Sequence, residues 1–252
     1  MYLFLSSRHR MMISILDQIK LNNICELGVH RGEFSDFMLR HLDFQKMFLI
    51  DSWSAEQVMK TYCNFESTPY YIEPYESFSE FFGGPTTQQS TFDATHNYTL
   101  ERFKGNEKIE IIKSDSFTIL EKFDDKSLDL IYIDANHQYE YVLRDLMYWS
   151  NKVSDDGFIF LNDCLISDLG RKQNLGVLQA VLTFMKYSDF VPVAMNGRDW
   201  ADVVLMKRTS RNLQKVTENI KKYPNLVEVP DHLFPLFTMK QGQDGNYPSF
   251  SL

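Results

Sequence analysis

Polar side chains that could act on a bound ligand follow an apolar run in the middle of the chain. Residues 130–133 read LIYI, and Asp134 and His137 follow in the turn DANH. A buried strand has no use for a carboxylate and an imidazole unless its end opens into a site. An imidazole with an ordinary pKa of about 6.5 can accept a proton from a hydroxyl at neutral pH, so His137 is a candidate general base. The alternative is that His137 caps or orients the helix that follows it.

A second polar strand end follows along the chain. The run GFIFL, residues 157–161, leads into Asn162 and Asp163. Neighbouring parallel strands lie about 4.8 Å apart, so the side chains of Asp134, Asn162 and Asp163 can converge on one point. Two carboxylates and an amide offer oxygen ligands of the kind that Mg²⁺ prefers. The pattern therefore indicates a magnesium site, and a simple turn cap by Asn162 and Asp163 is the alternative.

The first long strand of the predicted sheet runs into a glycine loop. The sequence ICELGVHRGEFS contains Glu26, Gly28 and Gly32 in the pattern E-x-G-x-x-x-G. Glycine lets the backbone come close to a ligand at the start of the next helix, where unpaired N–H groups can bind it. The loop lacks the G-x-G-x-x-G of a dinucleotide site, which disfavours an NAD-dependent oxidoreductase. A tight strand-to-helix turn without a ligand is the alternative.

Two further strand ends carry polar groups. The run FLID ends in Asp51, and the run KSDS contains Asp115 and Ser116. An acidic side chain at the tip of the strand beside the glycine loop is placed to accept hydrogen bonds from ribose hydroxyls. Each of these residues could instead cap a helix. Because polar groups end three successive strands, we expect a crevice that binds a nucleoside.

Short apolar runs alternate with helical patterns, which is typical of a mostly parallel sheet covered by helices. Only residues 196–201 separate the last two strands, so these should pair as an antiparallel hairpin. The predicted fold class is α/β, with a doubly wound, Rossmann-like, seven-stranded sheet that is mostly parallel and ends in this C-terminal hairpin. The predicted strands are 23–29, 46–51, 108–114, 128–134, 157–163, 190–195 and 202–207, and the predicted helices are about 8–21, 33–43, 95–105, 138–152 and 172–187.

Two segments depart from the alternation. Residues 53–94 form an insertion rich in Tyr and Phe, and residues 208–252 hold a helical pattern followed by a Pro-rich tail. We expect one main domain over residues 1–207 that contains the insertion, with 208–252 as a separate C-terminal segment. A long connection inside a compact domain is usually functional or mobile. The tail could wrap the core, bind a partner or be disordered.

Composition limits the classes of partner. The chain has 252 residues and a net charge of −8, and its few basic pairs are scattered, which argues against nucleic acid. Three widely spaced cysteines (Cys25, Cys63 and Cys164) form no disulfide or zinc pattern and indicate a reducing compartment. No segment approaches the roughly 18 apolar residues of a membrane span, and the N-terminus lacks the pattern of a signal peptide. We expect a cytoplasmic protein that does not bind a membrane.

The motifs ELGVHRG, LIDSW, KSDS and YIDANHQYEYVLRDL together resemble class I S-adenosylmethionine-dependent methyltransferases. The D-x-x-H-x-Y run followed by GFIFLNDC is similar to the metal-dependent macrocin and mycinamicin-type sugar O-methyltransferases, over roughly residues 20–207 apart from the insertion. In that family an acidic residue usually stands where this chain has Asn162. The resemblance implies that Glu26, Gly28 and Gly32 line the methionine part of the cofactor, Asp51 holds the ribose, Asp115 and Ser116 lie at the adenine, Asp134, Asn162 and Asp163 bind the metal, and His137 is the base.

The predicted function is therefore methyl transfer from S-adenosylmethionine to a hydroxyl of a sugar or another polyhydroxylated small molecule, with Mg²⁺ positioning the acceptor. The aromatic insertion would serve as a lid on the acceptor side, although its aromatic residues could also form a contact in a homo-oligomer. A catalytically inactive binding module, which uses the same fold and recruits a partner through the insertion and the tail, is the alternative. The intact Asp134, His137 and Asp163 argue against that alternative.

Overall fold

The computed structural model of the protein describes residues 1–62, 72–73, 78–198, 200–242 and 245–250. Its strands are β1 (Tyr2–Phe4), β2 (Leu21–Leu27), β3 (Phe44–Asp51), β4 (Ile109–Lys113), β5 (Leu128–Ile133), β6 (Val153–Leu161), β7 (Phe190–Asn196), β8 (Val203–Lys207), β9 (Leu226–Glu228), β10 (Thr238–Gly242) and β11 (Gly245–Ser249). Its helices are α1 (Arg8–Ile15), α2 (Glu33–His41), α3 (Ala55–Tyr62), α4 (Ser79–Phe82), α5 (Gln89–Arg102), α6 (Tyr139–Trp149), α7 (Asp168–Lys172), α8 (Val177–Phe184) and α9 (Leu213–Lys221), with short 3₁₀ helices at Leu120–Lys122 and Asp231–Leu236.

One sheet dominates the fold, and its strand order is β4-β3-β2-β5-β6-β8-β7-β1-β9. Strands β2 to β6 run parallel, and β8 pairs antiparallel with both β6 and β7. The predicted α/β class, the parallel arrangement and the C-terminal hairpin are confirmed. The predicted number of seven strands in the sheet is wrong, because β1 and β9 extend it to nine. Each of these two strands has three residues, which is too short to produce an alternating pattern.

The order of the strands fixes the position of the site. The chain moves outward from β2 through β3 to β4 and then returns to β5 on the other side of β2. Ligands of doubly wound sheets bind at such a reversal, outside the carboxyl ends of the strands. Leu27 of β2 pairs with Ile133 of β5, and Ile133 pairs with Leu161 of β6. The residues that follow these three positions, Gly28, Asp134 and Asn162, therefore leave the sheet side by side.

The apolar run of β5 is continuous because helices cover both faces of the sheet. Ile131 and Ile133 belong to the cluster of buried side chains on the face that packs against α6 and α8. Leu130 and Tyr132 belong to the cluster on the other face, which packs against α1, α2 and α9. All four side chains are buried. Because β5 is buried on both faces, the polar residues that follow it lie at the carboxyl end of the central strands, where the cavity opens.

The described parts of the insertion and of the tail are ordered against this core. The insertion contains α3, α4 and the start of α5, so the predicted helix 95–105 begins earlier, at Gln89; its residues 63–71 and 74–77 lie outside the described residues. In the tail, β9 joins the main sheet, and Phe234 and Phe237 are buried in the core. The described part of the tail therefore packs on the core. None of the helices described is long and apolar enough to cross a membrane.

Candidate functional site

A cavity of about 1020 Å³ opens at the carboxyl ends of the central strands. It receives side chains from β2 and β3, from the turns that follow β2, β3, β4, β5 and β6, and from the insertion. Gly32, the residue just before α2, is buried and is the predicted site residue that does not line the cavity. The predicted site residues that do line it are Glu26, Gly28, Asp51, Asp115, Ser116, Asp134, His137, Asn162 and Asp163.

The two glycines of the loop are required by contacts within the protein. Gly28 has φ +85°, and a Cβ atom on it would lie 2.1 Å from the carbonyl oxygen of Asp134. Gly32 has φ +72°, and a Cβ atom there would lie 2.6 Å from the ring of Phe103. The sequence pattern predicts close approach of the loop to a ligand, whereas the structure shows close approach to neighbouring protein atoms. The predicted contact with the methionine part of a cofactor stays a prediction.

Asp51 organises the glycine loop. One of its oxygens accepts hydrogen bonds from the backbone N–H groups of Val29 and His30, both at 2.9 Å, and the other accepts from Trp53 N–H at 2.8 Å. Burial raises the pKa of Asp51, and these donors offset that effect only in part. The carboxylate therefore fixes the shape of the loop. Its predicted hydrogen bonds to ribose have to be made by the remaining lone pairs.

Glu26 is a buried carboxyl group at the end of β2, with 1% of its surface exposed. It accepts a hydrogen bond from the Ser35 hydroxyl, which comes from α2. Burial raises the pKa of Glu26 to about 8, and the negative charge of Asp134 adds to the effect, while the Ser35 hydrogen bond opposes it. At neutral pH Glu26 is therefore mostly protonated and can donate a hydrogen bond into the cavity.

Asp115 and Ser116 make hydrogen bonds within the protein. Asp115 accepts a hydrogen bond at 2.9 Å from the backbone N–H of Phe117, so it caps a turn, as the alternative interpretation predicts. The Ser116 hydroxyl donates to the buried Asp145 at 2.8 Å and accepts from Arg144 at 2.9 Å. Burial raises the pKa of Asp145 to about 6. Both predicted adenine-binding residues line the cavity, and their contact with adenine stays a prediction.

The insertion contributes side chains that the sequence motifs do not mark. Gln57 of α3 donates a hydrogen bond to Asp115 at 3.1 Å. Trp53 is buried, and its indole N–H donates to the carbonyl oxygen of His30 at 2.9 Å. Phe81 of α4 stacks on the His30 ring with the ring centres 4.9 Å apart. The described part of the insertion therefore covers the glycine loop, and no pattern in the sequence predicts which of its residues do so.

His137 lies between two carboxylates. Its Nε2 atom is 3.1 Å from Asp134 Oδ1, and its Nδ1 atom is 3.5 Å from Asp163 Oδ2. Burial alone lowers the pKa of His137, but the charges of Asp163 and Asp134 outweigh this and raise it to about 9. Burial also raises the pKa of Asp163, to about 6. The structure thus brings the predicted base and both predicted carboxylates together, with the imidazole protonated at neutral pH.

Arg8 is a site residue that the sequence motifs do not reveal. It is the first residue of α1, and its NH1 atom donates to the Tyr132 hydroxyl and to Asn162 Oδ1, both at 2.9 Å. The same atom lies 3.5 Å from Asp134 Oδ2, and the guanidinium lies over the Phe34 ring at 4.7 Å from its centre. Arg8 is the first residue of the triplet RHR, which in the sequence looks like an ordinary exposed helix start. Only the fold therefore identifies Arg8 as a site residue.

The three predicted metal ligands are held together by hydrogen-bond donors. The Asn162 amide nitrogen donates to Asp134 Oδ1 at 3.1 Å and to Asp163 Oδ1 at 2.7 Å, while the amide oxygen accepts from Arg8. The amide oxygen therefore points away from the two carboxylates. Within the part of the chain that the structure describes, no three His, Cys, Asp or Glu side chains are placed to hold a metal ion. These residues do not fit Mg²⁺ in this arrangement, and the predicted magnesium is not supported.

Comparison with protein families gives one match. Residues 25–164, more than half of the chain, match the model of a family described as a methyltransferase domain. The matched range includes the glycine loop, Asp51, the DANH turn and the end of β6. No curated protein matches the chain.

Solved structures with a similar fold include two methyltransferases. A putative caffeoyl-CoA O-methyltransferase from Staphylococcus aureus is 13% identical, with a TM-score of 0.51 over 80% of this chain and 84% of that one. The N-methyltransferase NodS from Bradyrhizobium japonicum WM9 is 12% identical, with a TM-score of 0.50 over 79% of this chain and 92% of that one. At these identities the likeness shows the fold and does not identify the acceptor.

Proposed function

This chain belongs to the methyltransferase-domain family, and we propose that it is an O-methyltransferase acting on a hydroxyl of a sugar or another polyhydroxylated small molecule. Family and fold together support a class I S-adenosylmethionine-dependent methyltransferase. The proposal adds to that statement the macrocin and mycinamicin-type acceptor class and the base, His137.

The observation that carries the proposal is the contact between the two halves of the cavity. Gly28 of the glycine loop lies so close to the backbone of Asp134 that no side chain fits between them. Asp134 in turn contacts His137 at 3.1 Å. A methyl donor bound along the glycine loop would therefore present its methyl group near the His137 imidazole.

The chemistry asks for alignment and for removal of one proton. S-adenosylmethionine supplies an electrophilic methyl group when it is bound. The acceptor oxygen forms a bond to that carbon, the carbon–sulfur bond breaks with its electron pair going to sulfur, and the hydroxyl proton leaves. In this proposal the proton passes to His137 Nε2, which lies 3.1 Å from Asp134 Oδ1, and the carboxylates of Asp134 and of Asp163, 3.5 Å from Nδ1, stabilise the resulting imidazolium.

The raised pKa of His137 limits how it can act. Because the pKa is about 9, most of the imidazole is protonated at neutral pH, and only the neutral fraction can accept a proton. The neutral form of this imidazole is a strong base, but it is a small fraction of the protein at neutral pH. We therefore expect the rate of methyl transfer to rise with pH until His137 has lost its proton.

The acceptor class rests on the carboxylates beside His137 and on aromatic side chains elsewhere in the lining of the cavity. The carboxylates of Asp134 and Asp163 line the cavity and can accept hydrogen bonds from vicinal hydroxyl groups. The rings of Tyr141 and Trp200 line the same cavity and can pack against the face of a sugar. This lining favours a small molecule over a nucleic acid as the acceptor.

The insertion would cover the mouth of the cavity. Phe81 and Phe82 line the cavity, and Phe81 is 64% exposed, which leaves an aromatic face directed at the ligand space or at solvent. Aromatic side chains at a cavity mouth exclude water and pack against apolar faces of a ligand. We therefore assign the described end of the insertion to a lid that lies over the glycine loop, where Phe81 and Phe82 pack on His30, whereas the sequence predicts a lid on the acceptor side.

Two measurements test the proposed function. Calorimetric titration with S-adenosylhomocysteine and with NAD should give binding of the first and none of the second. Transfer of a labelled methyl group to a panel of sugars, nucleotide sugars and catechols should then identify acceptors. With an acceptor in hand, we expect His137→Gln to lower kcat by about 10²–10⁴-fold and to leave S-adenosylhomocysteine affinity nearly unchanged.

The pH profile separates the possible roles of His137. If it is the base, kcat of the unmodified protein rises as pH approaches 9. A rate that falls as His137 loses its proton would instead make the imidazolium a charged anchor and leave a carboxylate as the base. Binding of S-adenosylhomocysteine without transfer to any hydroxyl compound would favour the second function, a binding module, for which the engagement of both ring nitrogens by carboxylates is the supporting observation.

A further inference from the structure

Arg8 reaches the cavity from an element that the fold holds firmly. Strand β1 pairs in parallel with β7 and antiparallel with β9, which fixes the chain just before Arg8. The Ser7 side chain caps α1, and Met11, Met12 and Ile15 of this helix are buried in the core. The backbone at Arg8 is therefore held on both sides, which directs its guanidinium into the cavity.

The guanidinium engages oxygen atoms that a metal would need. It donates a hydrogen bond to Asn162 Oδ1 at 2.9 Å and lies 3.5 Å from Asp134 Oδ2. A divalent ion such as Mg²⁺ would have to approach oxygen ligands to about 2.1 Å. A second cation so close to the guanidinium would be repelled by it. Arg8 is charged at every accessible pH, so the repulsion does not depend on conditions.

The Asn162 amide shows the same preference. Because its oxygen is turned to Arg8, its nitrogen faces both Asp134 and Asp163. Turning the amide over to serve a metal would break the hydrogen bond to Arg8 and direct the amide nitrogen toward a cation. The guanidinium and the amide orientation thus support each other.

We propose that Arg8 is the resident cation of the cavity: its guanidinium occupies the place to which Asp134, Asn162 and Asp163 would otherwise bring a divalent ion. While Arg8 is present, the cavity binds no divalent cation. A second consequence, which rests on the proposed function, is that methyl transfer requires no metal and that the guanidinium supplies the positive charge beside the acceptor oxygen.

Binding of Mn²⁺ tests the first consequence without any acceptor. The loss of free Mn²⁺ signal in electron paramagnetic resonance is measured for the full chain and for the variants Arg8→Met and Arg10→Ala. Arg8→Met keeps an unbranched chain as far as the position of Nε and removes the charged guanidinium, and Arg10 is an exposed residue of the same helix. We expect Arg8→Met to bind one Mn²⁺ ion per chain at concentrations where the unmodified protein binds none, because the repulsion is removed, while Arg10→Ala behaves like the unmodified protein.

Two further variants locate the new site. Arg8→Lys keeps a positive charge and should bind no more Mn²⁺ than the unmodified protein. Adding Asp134→Asn to Arg8→Met should abolish the gain. Thermal melting and binding of S-adenosylhomocysteine report whether each variant is folded, and if Arg8→Met is not, Arg8→Gln takes its place.

Three results would overturn the inference. One is stoichiometric Mn²⁺ binding by the unmodified protein that Asp134→Asn removes. Another is a folded Arg8→Met or Arg8→Gln variant that gains no Mn²⁺. The third is methyl transfer by the unmodified protein that stops after chelation with EDTA and returns with Mg²⁺. A failure to find a hydroxyl acceptor would count against the proposed function alone, since the Mn²⁺ measurements need no acceptor.

Discussion

The two walls of the cavity are built in different ways. The wall formed by the glycine loop, named the cofactor wall after its proposed ligand, comprises Glu26, Gly28 and Asp51, and backbone groups hold the Asp51 carboxylate through three N–H donors. The opposite wall, named the acceptor wall after its proposed ligand, comprises Arg8, Asp134, His137, Asn162 and Asp163, and contacts of one side chain with another hold it.

This difference predicts how each wall responds to change. Backbone contacts leave few alternative arrangements, so a substitution in the cofactor wall should cost stability and binding together. Side-chain contacts between charged groups can rearrange, and their strength depends on protonation, so the acceptor wall should respond to pH. The cofactor wall is therefore the rigid part of the site, and the acceptor wall is the adjustable part.

The largest expected effect is that of Gly28→Ala. The added methyl group would lie 2.1 Å from a backbone oxygen at a position where φ is +85°. Left-handed strain costs roughly 1–2 kcal/mol and overpacking roughly 1–3 kcal/mol or more, so we expect a loss of about 3–5 kcal/mol in the free energy of unfolding. Urea denaturation measures it.

Gly105→Ala is the matched control. Gly105 also has a left-handed backbone, with φ +74°, but a Cβ atom on it would meet nothing within 4 Å. This variant should lose only the strain, about 1–2 kcal/mol. Equal losses in the two variants would show that the contact between Gly28 and the turn after β5 is not the limiting feature of the cofactor wall.

What the sequence can predict follows the same division. The long strands and the polar residues that end them could be predicted, because an apolar run followed by polar groups is a local pattern. The hydrogen bonds from the glycine loop to Asp51 also join residues that are only 21 and 22 positions apart in the sequence. Local signals therefore account for most of the sheet and for the cofactor wall.

The remaining features depend on contacts between distant parts of the chain. Arg8 contacts Asn162 across 154 positions, and nothing in the local sequence distinguishes it from Arg10. The short strand β1 forms because it pairs with β7 on one side and with β9 on the other, and β9 forms because it pairs with β1. Neither strand has an alternating sequence pattern that would predict it. The orientation of the Asn162 amide, which decides against a metal, depends in turn on Arg8. Such features require the fold itself.

A pH-dependent stability is expected of the acceptor wall. His137 has a folded-state pKa of about 9, raised above its ordinary value of 6.5. It therefore stabilises the folded protein fully below pH about 6.5, and this contribution is lost as pH rises through about 9. The shift corresponds to at most about 3 kcal/mol. Urea denaturation between pH 6 and pH 10 measures the loss, and His137→Gln should lose less than the unmodified protein by this amount, because the raised pKa of Glu26, about 8, gives both proteins a common loss. The same pH dependence in the variant would assign the loss to another group.

A smaller effect is expected at Asp51, where the binding of a cofactor analogue reports the shape of the loop. Asp51→Ala removes the acceptor for three backbone N–H groups. We expect affinity for S-adenosylhomocysteine to fall by roughly 1.5–3 kcal/mol, the range for hydrogen bonds to a charged group. Asp51→Asn, which keeps one oxygen acceptor, should fall by less. If Asp51→Ala binds like the unmodified protein, neither the loop nor the ribose depends on this carboxylate.

The smallest expected effect tests whether the insertion belongs to the cofactor wall. Gln57 donates one hydrogen bond, at 3.1 Å, to Asp115, a predicted adenine-binding residue, and it lines the cavity. Gln57→Ala should weaken S-adenosylhomocysteine binding by about 0.5–1.5 kcal/mol, the net value of one such bond. Glu56, which is exposed on the same helix, provides the control, and Glu56→Ala should bind normally. Calorimetric titration of both variants decides the point, because a helix that only covers the site from outside would leave the two affinities equal.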